Sequence, residues 1–123
     1  MTTLNQNPSM TTPEGRNLTA KTLIGDDVKN SQGENLGTVE DFMFDLERGR
    51  IAYAVVSHGG VLGVNKKLVA IPWNAFRLDT ENHAFVLDVD KETLKNAEGF
   101  DKDNWPDMAD PAWTSRVEMR FAR

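Results

Sequence analysis

"IAYAVVSHGGVLGVNKKLVAIPW", residues 51–73, sets two dense apolar runs on either side of a segment holding three glycines, a histidine and two lysines. Whether that segment is a reactive loop or a connection between strands decides the fold. A Walker-type phosphate loop needs Gly-x-x-x-x-Gly-Lys-Ser/Thr between a strand and a helix. Here Gly59, Gly60 and Gly63 precede Val64, Asn65, Lys66 and Lys67, and the residues that follow read as another strand. A dinucleotide fingerprint fails for the same reason, because no helix begins there to offer its N-terminus. Gly60 and Gly63 share the Gly-x-x-Gly spacing of the RNA-clamping KH loop, but that loop lies between helices. The glycines therefore read as the hinge points of a long hairpin loop.

Outward from this hairpin the chain alternates short strands with turn signals. "VKNSQGENLG" carries a turn around Asn30 and Gly33, so residues 24–29 and 36–45 should pair, and "DLERGR" repeats the arrangement at Gly49 before residues 51–57. Ile51, Tyr53 and Val55 share one face of that strand, with Ala52, Ala54 and Val56 on the other, a pairing of large with small that suits a curved sheet. Residues 36–45 alternate imperfectly: Phe42 and Phe44 point one way, Val39 and Met43 the other. Either both faces are partly covered or a bulge shifts the register. Residues 68–73 form a further strand ended by Pro72, and residues 76–78 and 84–89 a last hairpin across "DTENH".

The C-terminal third changes character. "DKETLKNAEGF" reads as a short helix stopped at Gly99, and "PAWTSRVEMRFAR" places Trp113, Val117 and Phe121 four apart on one helical face. Residues 1–18, rich in Thr, Asn, Pro and Gly, offer little to bury and read as a flexible tail. The expected organisation is a tail over 1–18, a β domain over 19–90 and a helical, Trp-containing extension over 91–123.

Composition narrows the function. A chain of 123 residues with a net charge of −5 fits one domain and disfavours a nonspecific grip on nucleic acid. The absence of cysteine excludes disulfides and thiolate chemistry, and no apolar run approaches the ~20 residues a membrane helix needs. A cytoplasmic protein without membrane insertion is expected. His58 beside Ser57 hints at a base and nucleophile, but adjacent strand residues face opposite sides. The acids from Asp88 to Asp103 do not reproduce a calcium loop, whose sixth and twelfth positions would fall on Thr93 and Gly99. They read as helix caps. No catalytic, metal or cofactor site is expected.

Two binding readings remain open. Trp105, Trp113 and Phe121 could dock a protein partner, or could hold the extension onto the barrel. His58, Asn65, Lys66 and Lys67 could rim a small-ligand or metal site at the barrel mouth. Edge strands left by an open barrel lead us to expect homo-oligomers.

The stretch "LIGDDVKNSQGENLGTVEDFMFDLERGRIAYAVVSHGGVLGVNKKLVAIPW" resembles the PRC-barrel domain, a small β-barrel shared by reaction-centre H subunits and ribosome maturation factors. The resemblance rests on Leu-Ile-Gly at 23–25, the Gly33 turn, Gly37, Asp45, Gly49, the Gly60 and Gly63 loop and the closing Ile-Pro-Trp. The tail "GFDKDNWPDMADPAW" looks like the extension of stand-alone bacterial members. The resemblance implies a mainly β, partly open antiparallel barrel with a short helical extension, acting as a non-enzymatic adaptor for unidentified protein partners. It supplies no catalytic residues. A ribosome-assembly role rests on the analogy alone.

Overall fold

The structure, a computed structural model, describes residues 18–59 and 66–121. Most of the expected tail therefore lies outside the described residues, as does Asn65, while Leu18 already packs against the core. Six strands, β1 (Asp27–Lys29), β2 (Asn35–Asp45), β3 (Arg50–His58), β4 (Lys67–Pro72), β5 (Phe76–Asp79) and β6 (Ala84–Leu87), form one sheet in the order β4-β3-β2-β1-β6-β5. Three helices, α1 (Ala20–Leu23), α2 (Lys91–Lys95) and α3 (Pro111–Arg120), flank it.

The mainly β, partly open barrel is thus present, with one difference in strand sense. Four of the five pairings are antiparallel, but β1 and β6 run parallel, with Val28 opposite Phe85. The chain builds β2 to β5 before β6 returns to the vacant side of β1. Hairpin signals report only neighbours in sequence, so this pairing has no local signature.

Curvature follows from one short connection. β4 and β5 are opposite edges of the sheet, yet only the 3₁₀ turn Trp73–Ala75 separates them. A flat sheet would hold those edges about 24 Å apart at ~4.8 Å per strand. The chain from Pro72 to Phe76 spans at most about 14 Å. The sheet must therefore curl until β4 and β5 approach at that end.

Register places side chains on the two faces. Val39, Val56 and Val69 are mutual cross-strand partners, as are Phe42, Ala54 and Ile71, and partners share a face. These residues line the concave interior with Trp73, Phe76 and Phe85. The Phe42 and Trp73 rings lie 6.1 Å apart, Trp73 and Phe85 6.0 Å, and Phe76 and Phe85 5.4 Å, all edge-on. Edge-on contact suits the ring quadrupoles.

The outer face of β3 is covered as well. Tyr53 and Val55 are buried there, and Trp113 of α3 meets Tyr53 edge-on at 5.3 Å. Trp113, Val117 and Phe121 are all buried, so the helical face expected from their spacing packs onto the barrel of its own chain. In β2 both expected irregularities occur. Register shifts leave Glu40 unpaired on β2 and Ala52 unpaired on β3. Phe42, opposite Ala54, and Met43, opposite Tyr53, are buried on the two covered faces, and the second shift sets Phe44 opposite Ile51, where it is 53% exposed.

Gly37 marks the closest approach of β2 and β3. Its φ of +155° is rarely adopted by side-chain-bearing residues, and a Cβ there would land on the Ser57 carbonyl oxygen and press on Val56. Backbone cannot yield as a flexible side chain can. Gly37→Ala is expected to destabilise the fold by about 2–4 kcal/mol, read from urea unfolding midpoints; an unchanged midpoint would show that the strands separate at little cost.

Candidate functional site

A surface groove of about 970 Å³ lies where the β2–β3 turn, the 3₁₀ turn and α3 converge. Phe44, Ile51, Trp73 and Phe121 give it apolar walls, while Arg50 and Glu118 supply opposite charges. Local chemistry fixes the turn. Asp45 Oδ1 accepts from the backbone N–H groups of Glu47 and Arg48, both at 3.1 Å, and the Gly49 N–H donates to the Asp45 carbonyl at 2.8 Å. Arg48 Nη1 donates to Asp45 Oδ2 at 2.8 Å, which holds the Asp45 carboxyl below its ordinary range.

Arg48 is thereby engaged, while the exposed Arg50 side chain has neither an ion pair nor a hydrogen bond among the described residues. At the groove wall, burial pushes the Tyr53 hydroxyl up, the Glu118 charge adds to that rise, and a hydrogen bond with Thr114 partly opposes it. Thr114 Oγ1 also lies 3.4 and 3.2 Å from the backbone carbonyls of Met108 and Asp110, either of which can accept its single proton. These hydroxyls are engaged in holding α3, with the Glu118 carboxylate beside Tyr53. The groove offers an apolar wall flanked by a guanidinium and a carboxylate, which is a binding geometry. Two large apolar side chains stand in water beside it, Phe44 at its wall and Leu46 in the adjoining turn, 89% exposed.

The sequence pointed instead to the other end of β3. His58 lies eight residues from Arg50, about 26 Å along an extended strand. There His58 Nδ1 meets the Leu36 carbonyl at 2.6 Å, and since a carbonyl only accepts, that nitrogen carries the proton. Ser57 Oγ donates to the Thr38 carbonyl at 3.4 Å. Lys66 Nζ reaches Glu40 at 3.4 Å. Lys67 Nζ donates to the carbonyls of Lys95 and Ala97 at 2.7 and 3.0 Å, capping the end of α2. Burial pulls the Lys67 ammonium down, and the Arg120 charge adds to that. His58, Lys66 and Lys67 thus serve three separate contacts among the described residues, while Asn65, the fourth member of the expected loop, lies outside them. Among the described residues, no three His, Cys, Asp or Glu gather as metal ligands would.

The structure places the three aromatic candidates differently, with Phe121 also at the edge of the groove. Trp113 and Phe121 are 5% and 4% exposed and belong to the core. Trp105, 44% exposed, rests on Phe100 at 5.0 Å and donates Nε1–H to the Lys102 carbonyl. Residue spacing correctly identified the apolar helical face but could not show which surface would cover it. Apart from Phe121, the groove residues were not singled out as a site, because they come from three distant segments. The one local signal was an apolar Leu46 in a turn that chemistry would leave polar.

The extension is also tied down by charge. Arg116 donates to both Glu98 oxygens, at 2.7 and 3.0 Å, and Asp90 caps α2 by accepting from the Thr93 N–H and hydroxyl. These hydrogen bonds hold both carboxyls below their ordinary values. A depressed folded-state pKa stabilises the fold at higher pH, and that contribution is lost as pH falls through the folded value. The protection of α2 and α3 amides against exchange, relative to the intrinsic rate, is therefore expected to fall below the ordinary glutamate value of 4.5, before that of the sheet. Glu98→Gln should reduce this acid sensitivity while changing stability at neutral pH by less than about 1 kcal/mol, because the pair is exposed. Equal acid sensitivity in the variant would remove Glu98 from the account.

Residues 16–94 match the model of the PRC-barrel domain. No curated protein matches the chain. Among solved structures, it is similar to a 16S ribosomal RNA processing protein, RimM, from Pseudomonas aeruginosa, at 15% identity and a TM-score of 0.41. That alignment covers 60% of this chain and 44% of the other, so the chain spans less than half of that protein's length.

Proposed function

Because the chain belongs to the PRC-barrel family, we propose that it is a non-enzymatic interaction module that docks a protein segment in the groove between the β2–β3 turn and α3. One observation carries the reading: Phe44 and Leu46 remain in water at a groove walled by Ile51, Trp73 and Phe121. Burying a large apolar side chain gains about 1.5–3 kcal/mol, and neither residue obtains that gain fully within its own chain. An apolar centre with charges at its edge is also the usual anatomy of a protein interface.

The chemistry of the groove supports binding over turnover. Tyr53 and Thr114 are committed to structural hydrogen bonds, and Arg50 and Glu118 can orient a segment without a proton to transfer. The net charge of −5 argues against a phosphate-backbone partner, so no ribosomal RNA contact is proposed.

Affinity capture with the full chain tests this reading. Phe44→Ser is expected to lose a set of proteins that both the wild type and Met119→Ser retain. Met119 is a fair control because it is 81% exposed on α3 beside a different, smaller groove. Identical sets on all three baits, or substrate turnover by the purified chain, would sink the proposal.

A further inference from the structure

The β2–β3 turn beside the groove carries the features of an occupant. Leu46 has the greatest exposure of the large apolar side chains among the described residues, and the turn does not need it: its hydrogen bonds come from Asp45 and from the backbone at Gly49. Immediately after it, Glu47 is exposed, and its side chain has no ion pair or hydrogen bond among the described residues. Arg50, at the groove, is unpaired in the same way. One short hairpin therefore holds an apolar projection, part of an apolar recess and two unmatched charges of opposite sign.

We propose that the groove receives the β2–β3 turn of a second copy of this chain, with Leu46 of each copy seated against Phe44 and Ile51 of the other, and Glu47 facing Arg50 across the contact. The inference rests on the reading of the groove as a protein-docking site and names its occupant. Projection and recess on neighbouring residues allow a two-fold axis to satisfy both copies with one patch, so the assembly closes as a dimer. Placed on distant faces, they would propagate into a chain of molecules. The same axis pairs each carboxylate with the other copy's guanidinium, giving two matched contacts at the edge of an apolar centre. Charge matching of this kind fixes register and suppresses wrong partners.

Sedimentation equilibrium of the full chain over a concentration series provides the test, with circular dichroism confirming that each variant folds. The wild type is expected to approach twice the chain mass, and Leu46→Asp to stay at one. Glu47→Arg and Arg50→Glu should each raise the dimer dissociation constant about tenfold, and the two together should recover most of that loss because the cross-copy pairs are restored with reversed sign. A wild type of single-chain mass at every concentration would overturn the proposal, as would a dimer indifferent to Leu46→Asp, or a double variant weaker than both singles. If self-association is absent while Phe44→Ser still loses captured proteins, the groove keeps its docking role with another occupant.

Discussion

Three residues, Trp73–Ala75, join opposite edges of a six-stranded sheet, and most of this molecule follows from that connection. The chain cannot bridge the width of a flat sheet there, so the strands curl and bring Trp73 into the same interior as Phe42 and Phe85. Curling also requires a close approach elsewhere. It falls at Gly37, where hydrogen replaces a side chain against the Ser57 carbonyl. Ala54 opposite Phe42 meets the same demand, since a concave wall accommodates large rings only where their partners are small.

A sheet curled around one core still leaves the outer face of β3 to be covered, and the C-terminal extension covers it. Trp113, Val117 and Phe121 are spent there. The backbone of Phe100 exchanges two hydrogen bonds with Leu68 on edge strand β4, and Lys67 beside it caps α2. An edge strand is a template for unwanted pairing, and the molecule blunts this one with its own chain. Trp113 is thus part of the fold, while Phe44 and Leu46 are exposed together beside the groove.

Most polar groups that sequence would nominate for chemistry have structural tasks. Asp45 and Asp90 organise a turn and a helix start, Glu98 pairs with Arg116, and His58 ties β3 to β2. Among the described residues, Glu47 and Arg50 on one hairpin and Glu118 on α3 stay without ion pairs, next to apolar surface. Such an arrangement favours recognition, because a charge without a partner within its own chain is free to select one outside it.

The sequence alone determined the strands and their hairpins, the capped helix at Asp90 and the apolar face of α3. Each rests on the period of side chains or the chemistry of a few neighbouring residues, which act before distant segments meet. Tertiary structure alone decided the parallel pairing of β1 with β6, the covering of Trp113 by its own barrel, the separation of His58, Lys66 and Lys67, and the groove assembled from three segments. Those outcomes depend on which surfaces are brought together by long-range register and curvature, and no local period encodes the residue that will lie across a sheet.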